Sequence, residues 1–293
     1  MTKKNLLTIS IVIPVYNEEQ NLKRLLPSLK KQTYPKNKIE FIVIDDASTD
    51  NTYNLAKEFG ARIISVETHD IELNKGIGMH AAKNDLIFWL DADMEICSKD
   101  FFASLVKPLA ENPNLIGSFT KEFALDCQKP ITNSFLRFIS YDPLQCDPVY
   151  GFFSSSVQST ITEQKKDYAI CHFIPGKIPP AGRSLYRRKE LLKTAVGKNK
   201  SFVDLETLEI VARAGHQYFA YVPKAKIRHY HSQTLLELIK KRPMRNLGFS
   251  SLGDQSGDYL PNIDKKHFLW FNSKNKKDAF KVVFWVIYAN LIL

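Results

Sequence analysis

Asp91 and Asp93 flank one small residue, Ala92, and follow directly on the apolar run Leu86-Ile87-Phe88-Trp89-Leu90. Carboxylate oxygens at that spacing suit a hard divalent cation such as Mg2+ or Mn2+, which keeps coordination positions open for substrate phosphates. The run before them fits a strand buried on both faces of a mostly parallel sheet, because consecutive bulky apolar residues leave no face for water. Such a strand ends at Asp91. In open α/β sheets ligands bind beyond the carboxyl ends of the strands, so both acids would be delivered to that edge. The competing reading is a solvated acidic turn, and what else reaches the same edge decides between the two.

The elements that must position this pair follow from periodicity. Ser10 to Pro14 reads as a first strand. Asn17 then stands as a helix N-cap, with Gln20 three residues on and Leu22, Leu25, Leu26 and Leu29 along one helical face. Ile39 to Ile44 is a second buried strand that ends in Asp45-Asp46 and passes through Ala47-Ser48-Thr49-Asp50-Asn51 into a helix stopped by Gly60. Ala61 to Val66 is a third strand and Asp85 to Leu90 another. This alternation predicts an α/β fold with a parallel sheet and right-handed crossovers. Tyr16 with Asn17, Asp45 with Asp46, and Asp91 with Asp93 then gather where three strands end. A nucleoside diphosphate suits them, offering a base face to an aromatic ring, imide and hydroxyl donors to carboxylates, and phosphates to a metal. No G-x-G-x-x-G follows the first strand and no G-x-x-x-x-G-K-[ST] occurs, which weighs against dinucleotide and P-loop sites.

Pro14-Val15-Tyr16-Asn17-Glu18, Val43-Ile44-Asp45-Asp46-Ala47-Ser48-Thr49-Asp50 and Leu90-Asp91-Ala92-Asp93 together resemble the donor half of glycosyltransferase family 2, whose members have the GT-A fold. The resemblance extends over about residues 8 to 235, a donor half of about 8–120 and an acceptor half of about 121–235, and implies a Rossmann-like central sheet flanked by helices. It implies inverting transfer from a nucleotide-sugar donor, UDP- or GDP-linked, to a glycan, lipid-linked or polyprenyl-phosphate acceptor. The donor site would draw on Pro14, Tyr16, Asn17, Glu18, Asp45, Asp46, Asp91 and Ala92. The family often has Ala-Arg-Asn before a glycine where this chain has Leu73-Asn74-Lys75-Gly76, so Lys75 stands in for the charge of the usual arginine. Pro180-Ala181-Gly182-Arg183 looks like the glycine-containing loop of the family and places Gly182 against donor sugar or acceptor. Phe202-Val203-Asp204 matches the position where members usually carry Glu-Asp; Val203 departs from that pattern, and Asp204 keeps the place of the catalytic base. In Arg228-His229-Tyr230-His231 the resemblance implies a histidine at the metal or diphosphate site, His229 matching best and His231 remaining an alternative. Helix capping by Asp204 and a structural role for His229 are the competing readings.

Elsewhere Ser98 is expected to cap a helix through about Ala110, and Leu115 to Phe119, Tyr218 to Val222 and Ala225 to Ile227 read as strands. The stretch from Cys127 to Ile174 has no clean period; Phe135, Tyr141 and Tyr150 in it suit either an acceptor groove or a core. The four cysteines, Cys97, Cys127, Cys146 and Cys171, lack metal-ligand spacing and read as reduced thiols of a cytosolic protein. Lys and Arg exceed Asp and Glu, 41 to 31, for a net charge of +10. That excess suits nucleic acid, an anionic membrane surface or phosphorylated substrates, and it is strongest in the last third of the chain. There Lys265, Lys266, Lys274, Lys276, Lys277 and Lys281 precede an apolar run from Val282 to Leu293 that is too short to span a bilayer. A tail docked on the inner face of the cell membrane, a last helix packed on the core and the start of a cut membrane span all fit. A sugar-nucleotide nucleotidyltransferase would want a basic, glycine-rich loop where Asn17-Glu18-Glu19 stands, and a nucleic-acid-binding module would not carry acids at its strand ends. No nucleic-acid partner is therefore expected.

Overall fold

The protein is described by a computed structural model over residues 6–124, 157–178, 181 and 183–230. Strand β1 (Ile9–Val15) is buried at every position and pairs in parallel with β2 (Ile39–Asp46) on one side and β4 (Leu86–Trp89) on the other. β3 (Arg62–Val66) adds in parallel to β2. Pro14 sits two residues beyond the last β1–β4 pair, Val12–Trp89, so its missing N–H interrupts no ladder on that side. Helices α1 (Glu19–Lys30), α2 (Thr52–Phe59) and α3 (Ile71–Ala81) cross between these strands. Leu22, Leu25, Leu29 and Ala56 pack with Ile11, Ile13, Val43 and Phe88 on one face of the sheet, while Met79 of α3 packs with Val12, Ile42 and Trp89 on the other. The alternating side chains of each strand thus feed two separate apolar layers.

The second half turns the sheet from parallel to mixed. After β5 (Met94–Ile96) and α4 (Phe101–Glu111) come β6 (Gly117–Ala124), a single turn α5 (Val157–Thr160), the hairpin β7 (Ile161–Gln164) and β8 (Ala169–His172), β9 (Ser184–Arg187), α6 (Arg188–Lys193), α7 (Asp204–Arg213) and β10 (Tyr218–His229). The strand order is β3-β2-β1-β4-β9-β6-β10-β8-β7, with β5 attached to β10. β9 runs antiparallel between β4 and β6, whereas β6 and β10 are parallel.

Several local expectations change. Asn17 does not cap α1. It adopts φ 52° and turns its side-chain oxygen to the backbone N–H of Thr49 (2.8 Å), tying the loop after β1 to the loop after β2. Ser98 does not cap α4, whose N-cap is Asp100; its hydroxyl instead donates to the carbonyl of Lys224. Leu73 to Gly76 fall inside α3, capped by Asp70, whose carboxylate accepts from the N–H groups of Glu72 and Leu73. The two short strands expected at 218–227 are one strand with an irregularity between Val222 and Lys226. Gly60 ends α2 at φ 88° as expected. Gly182, His231, Cys127, Cys146, Phe135, Tyr141, Tyr150 and the tail lie outside the described residues. Among the described residues no helix is long and apolar enough to cross a membrane.

Candidate active site

The carboxyl ends of β1, β2 and β3 each lead into a non-glycine residue with left-handed backbone: Asn17 (φ 52°), Ala47 (φ 56°) and His69 (φ 54°). For Ala and His that conformation costs energy, and such residues persist where surrounding structure holds them, often at ligand sites. Tyr16, 54% exposed, meets His69 edge to face with ring centroids 6.2 Å apart, leaving an aromatic face open at this edge.

Asp45 and Asp46 are both buried but differ in their partners. The Asp46 carboxylate accepts from the N–H and hydroxyl of Thr68 and from the Asn74 amide, so it fastens β2 to the start of α3. Burial pushes this carboxyl up, and those bonds more than offset it, leaving it below the usual range. Asp45 keeps a buried Oδ1 that accepts no hydrogen bond among the described residues, so of the two acids it is the one with an acceptor left for a base or ribose. Glu18 serves the loop: its N–H donates to Thr52 Oγ1 and its carboxylate accepts from Asn21 Nδ2. Pro14 lies inside the buried β1, and Ala92 is turned into the apolar layer beside Met94, away from the polar edge.

Beyond β4 the acids meet a histidine from the far end of the chain. β10 pairs antiparallel with β5 so that His229 lies opposite Met94, and the N–H of Tyr230 donates to the Asp93 carbonyl at 2.8 Å. The side-chain ligand atoms of Asp91, Asp93 and His229 fall within 4.8 Å of one another, with His229 Nε2 3.3 Å from Asp93 Oδ1. The two carboxylates suit Mg2+ or Mn2+, and the added imidazole nitrogen favours the transition metal of the two. Asp91 Oδ1 is buried and accepts no hydrogen bond among the described residues, an orphan acceptor that such a cation would satisfy.

Asp204 opens α7 but is not its N-cap, a place held by Val203. Its Oδ2 is hydrogen-bonded to Arg183 Nη1 and lies 3.6 Å from Lys75 Nζ, while the other arm of Arg183 bonds Asp91 Oδ2. Lys75 is 4% exposed and stands 3.8 Å from Asp91 Oδ1 and 3.5 Å from Glu72 Oε2. Burial pulls the Lys75 ammonium down, but Asp91 and Asp204 outweigh it and its pKa ends above the usual value. Burial likewise pushes the Asp204 carboxyl up, and Arg183 with Lys75 reverses that, holding it below the ordinary carboxylate range. Burial pushes Glu72 up to about 7, with Lys75 opposing and Asp204 and Asp91 adding to the rise.

Close approach of backbone makes this arrangement possible. A Cβ on Gly76 would lie 1.8 Å from the Lys200 carbonyl oxygen, and one on Gly78 would lie 2.2 Å from Val12 Cγ1. The glycines of α3 therefore let it sit down on β1 and let the segment leading to Asp204 lie across it. Phe202 then stacks on Trp89 at 3.6 Å and donates its N–H to the Glu72 carbonyl, while Trp89 Nε1 donates to the carbonyl of Lys75. Of the expected site residues the structure thus brings Asp91, Asp93, His229, Lys75 and Asp204 together, and sets Tyr16, Asn17, Asp45 and Asp46 along the same sheet edge. No local pattern in the sequence singles out Arg183 or Glu72; Arg183 stands next to Gly182, and its partners lie 92 and 21 residues away.

Solved structures share the fold. A Staphylococcus aureus TarS fragment, residues 1–349, superposes with a TM-score of 0.52 at 16% identity, covering 82% of this chain and 65% of that one. The mannosyltransferase PcManGT from Pyrobaculum calidifontis, solved with GDP-Man and Mn2+, gives 0.53 at 15% identity over 84% of this chain and 64% of its own. The architecture is that of the GT-A glycosyltransferases. Residues 10–176 match the family model described as Glycosyl transferase family 2, and the chain belongs to that family of sugar-transferring enzymes. Among curated relatives, the 4,4'-diaponeurosporenoate glycosyltransferase of Staphylococcus haemolyticus is 34% identical over 111 residues, 35% of this chain and 28% of the relative. An undecaprenyl-phosphate 4-deoxy-4-formamido-L-arabinose transferase of Proteus mirabilis is 36% identical over 96 residues, 30% of this chain and 29% of the relative. The matches thus span less than a third of the length of these relatives.

Proposed function

We propose that the chain is an inverting glycosyltransferase that moves a sugar from a UDP- or GDP-sugar to a glycan, lipid-linked or polyprenyl-phosphate acceptor. The observation that carries the proposal is the convergence of Asp91, Asp93 and His229 within 4.8 Å, with Asp204 joined to Asp91 through Arg183. Asp91, Asp93 and His229 would hold Mg2+ or Mn2+, which when bound supplies Lewis-acid neutralisation of the charge on the departing diphosphate. Tyr16 offers its exposed ring to the base, and Asp45, with its open acceptor, takes a base or ribose donor. Asp204 accepts the proton of an acceptor hydroxyl attacking the anomeric carbon opposite the leaving group, a single displacement that inverts the centre. Held below the usual carboxylate range by its cations, Asp204 is ionised throughout the neutral region but is a weak base, which suits an acceptor that is itself acidic or already anionic. The P. mirabilis relative, by name an undecaprenyl-phosphate 4-deoxy-4-formamido-L-arabinose transferase, supports that acceptor class. Placement on an anionic membrane surface through the basic residues 265–281 belongs to the same proposal.

Thermal-shift measurements with a panel of UDP- and GDP-sugars, with and without Mn2+, test the donor and the cation together. One sugar nucleotide is expected to raise Tm in a Mn2+-dependent way, and Asp93→Ala to abolish that dependence while leaving the Tm of the apoprotein within a few degrees. A Mn2+-dependent shift that survives in Asp93→Ala would remove Asp93 from the cation site.

A further inference from the structure

We propose that Arg183 is a positioning residue that couples cation binding at Asp91 to the freedom of Asp204, one guanidinium holding both carboxylates so that a cation must compete with it. The inference rests on the assignment of Asp91, Asp93 and His229 as cation ligands and of Asp204 as base.

Arg183 is 11% exposed, and its two terminal nitrogens bond different acids, Nη1 to Asp204 Oδ2 and Nη2 to Asp91 Oδ2. A planar fork with fixed donor directions sets the separation and orientation of the two acceptors; an ammonium, as a point charge, does not. The backbone at this place is fixed independently, since the Arg183 carbonyl accepts from Thr120 N–H at 3.0 Å and β9 begins at the next residue. Substitution of the side chain therefore leaves the strand its own anchors. Asp91 Oδ2 faces Arg183 while its Oδ1 is 3.8 Å from Lys75 Nζ, so a cation approaching Asp91 meets positive charge already engaged with the same carboxylate. A cation that draws on Asp91 weakens the Nη2 arm, and the guanidinium shifts its hold toward Asp204 or an incoming phosphate. Coupling of this kind is reciprocal, so a change at Asp204 must change cation affinity. Lys75 bridges the same two acids at 3.8 and 3.6 Å, and the share carried by Arg183 is the share that is lost when Arg183 is replaced.

The test is Mn2+ binding to the full chain without nucleotide, followed by isothermal titration and by loss of the free Mn2+ electron paramagnetic resonance signal. Arg183→Lys keeps the charge but not the fork and is expected to bind Mn2+ several-fold more tightly than wild type. Asp204→Asn leaves Arg183 to concentrate on Asp91 and is expected to weaken Mn2+ binding about tenfold in the wild-type background, within the range of coupling between sites. In the Arg183→Lys background the same substitution should change affinity less than about threefold, the residue of a simple field effect. Arg183→Gln, read in the same cycle, replaces Arg183→Lys if the lysine variant melts early. An Asp204→Asn effect of equal size in both backgrounds overturns the coupling while leaving the cation site intact. Wild-type binding that Asp93→Ala does not weaken overturns the cation site itself, and the coupling with it.

Discussion

At the scale of single residues, the site is a balance of charges, some buried and some half-exposed, in which each cation answers more than one acid. Breaking one partner of such a set exposes an uncompensated charge, so substitutions here affect both stability and chemistry. Asp204→Asn is nearly isosteric and separates the two: proton transfer by a positioned base is worth ~10²–10⁴-fold, so turnover with a hydroxyl acceptor should fall by that amount while donor affinity, read at saturating Mn2+, stays near wild type. A fall below tenfold in a steady-state assay would indicate an acceptor already ionised. Glu72 gives a different handle. Its folded pKa, raised from 4.5 to about 7, means the folded state binds the proton more tightly than the unfolded state. The stability it contributes is fully present below 4.5 and is lost as pH rises through 7. Glu72→Gln should therefore be close to neutral at pH 5 and stabilising at pH 8, by roughly 1–2 kcal/mol after allowing for solvent at this partly exposed carboxyl, as read from denaturant midpoints at the two pH values.

At the scale of elements, the parallel strands were legible because their central residues form unbroken apolar runs, Phe41–Ile44 and Leu86–Leu90, with no polar alternation to mark a solvated face. Gly60, at φ 88°, likewise announces the end of α2. What was hidden depended on distance along the chain. Asn17 looked like a cap because its local spacing satisfied the rule, whereas its real partner, Thr49, is 32 residues away. The helix over Leu73 to Gly76 was obscured by two glycines that weaken its propensity and are retained for contact with Val12 and Lys200. Gly76→Ala tests that explanation. Its Cβ would meet backbone at Lys200, pushing away the segment that ends in Asp204; stability should fall by about 1–3 kcal/mol. Turnover should drop further, on the order of 10²-fold, because a displacement of about 1 Å near the chemistry costs that much. A melt combined with a transfer assay separates the two losses, and a variant that loses stability alone would detach α3 from the alignment of Asp204.

At the scale of the whole molecule, positive charge collects toward the end of the chain while the sheet edge carries acids. Six lysines between 265 and 281 provide roughly 1 kcal/mol each near an anionic surface, before screening. The full chain is expected to float with anionic liposomes at low salt and to leave them as salt rises, whereas a chain ending at Asp264 should stay with the soluble fraction. Equal behaviour of the two chains in flotation would remove the tail from membrane placement. The position of β9 has another consequence. This strand enters between β4 and β6, pairing Phe88 with Leu185 on one side and Phe119 with Leu185's neighbour Ser184 on the other. β1 to β4 can zip together from near-neighbour segments, yet the middle of the sheet must wait for residues made about a hundred positions later than β4. During synthesis β4 therefore presents an open, wholly apolar edge, the kind that invites pairing with another chain. Topology thus makes the join at β9, like the still more distant pairing of β10 with β5, a late event of folding, and that join delivers Arg183 to the two aspartates.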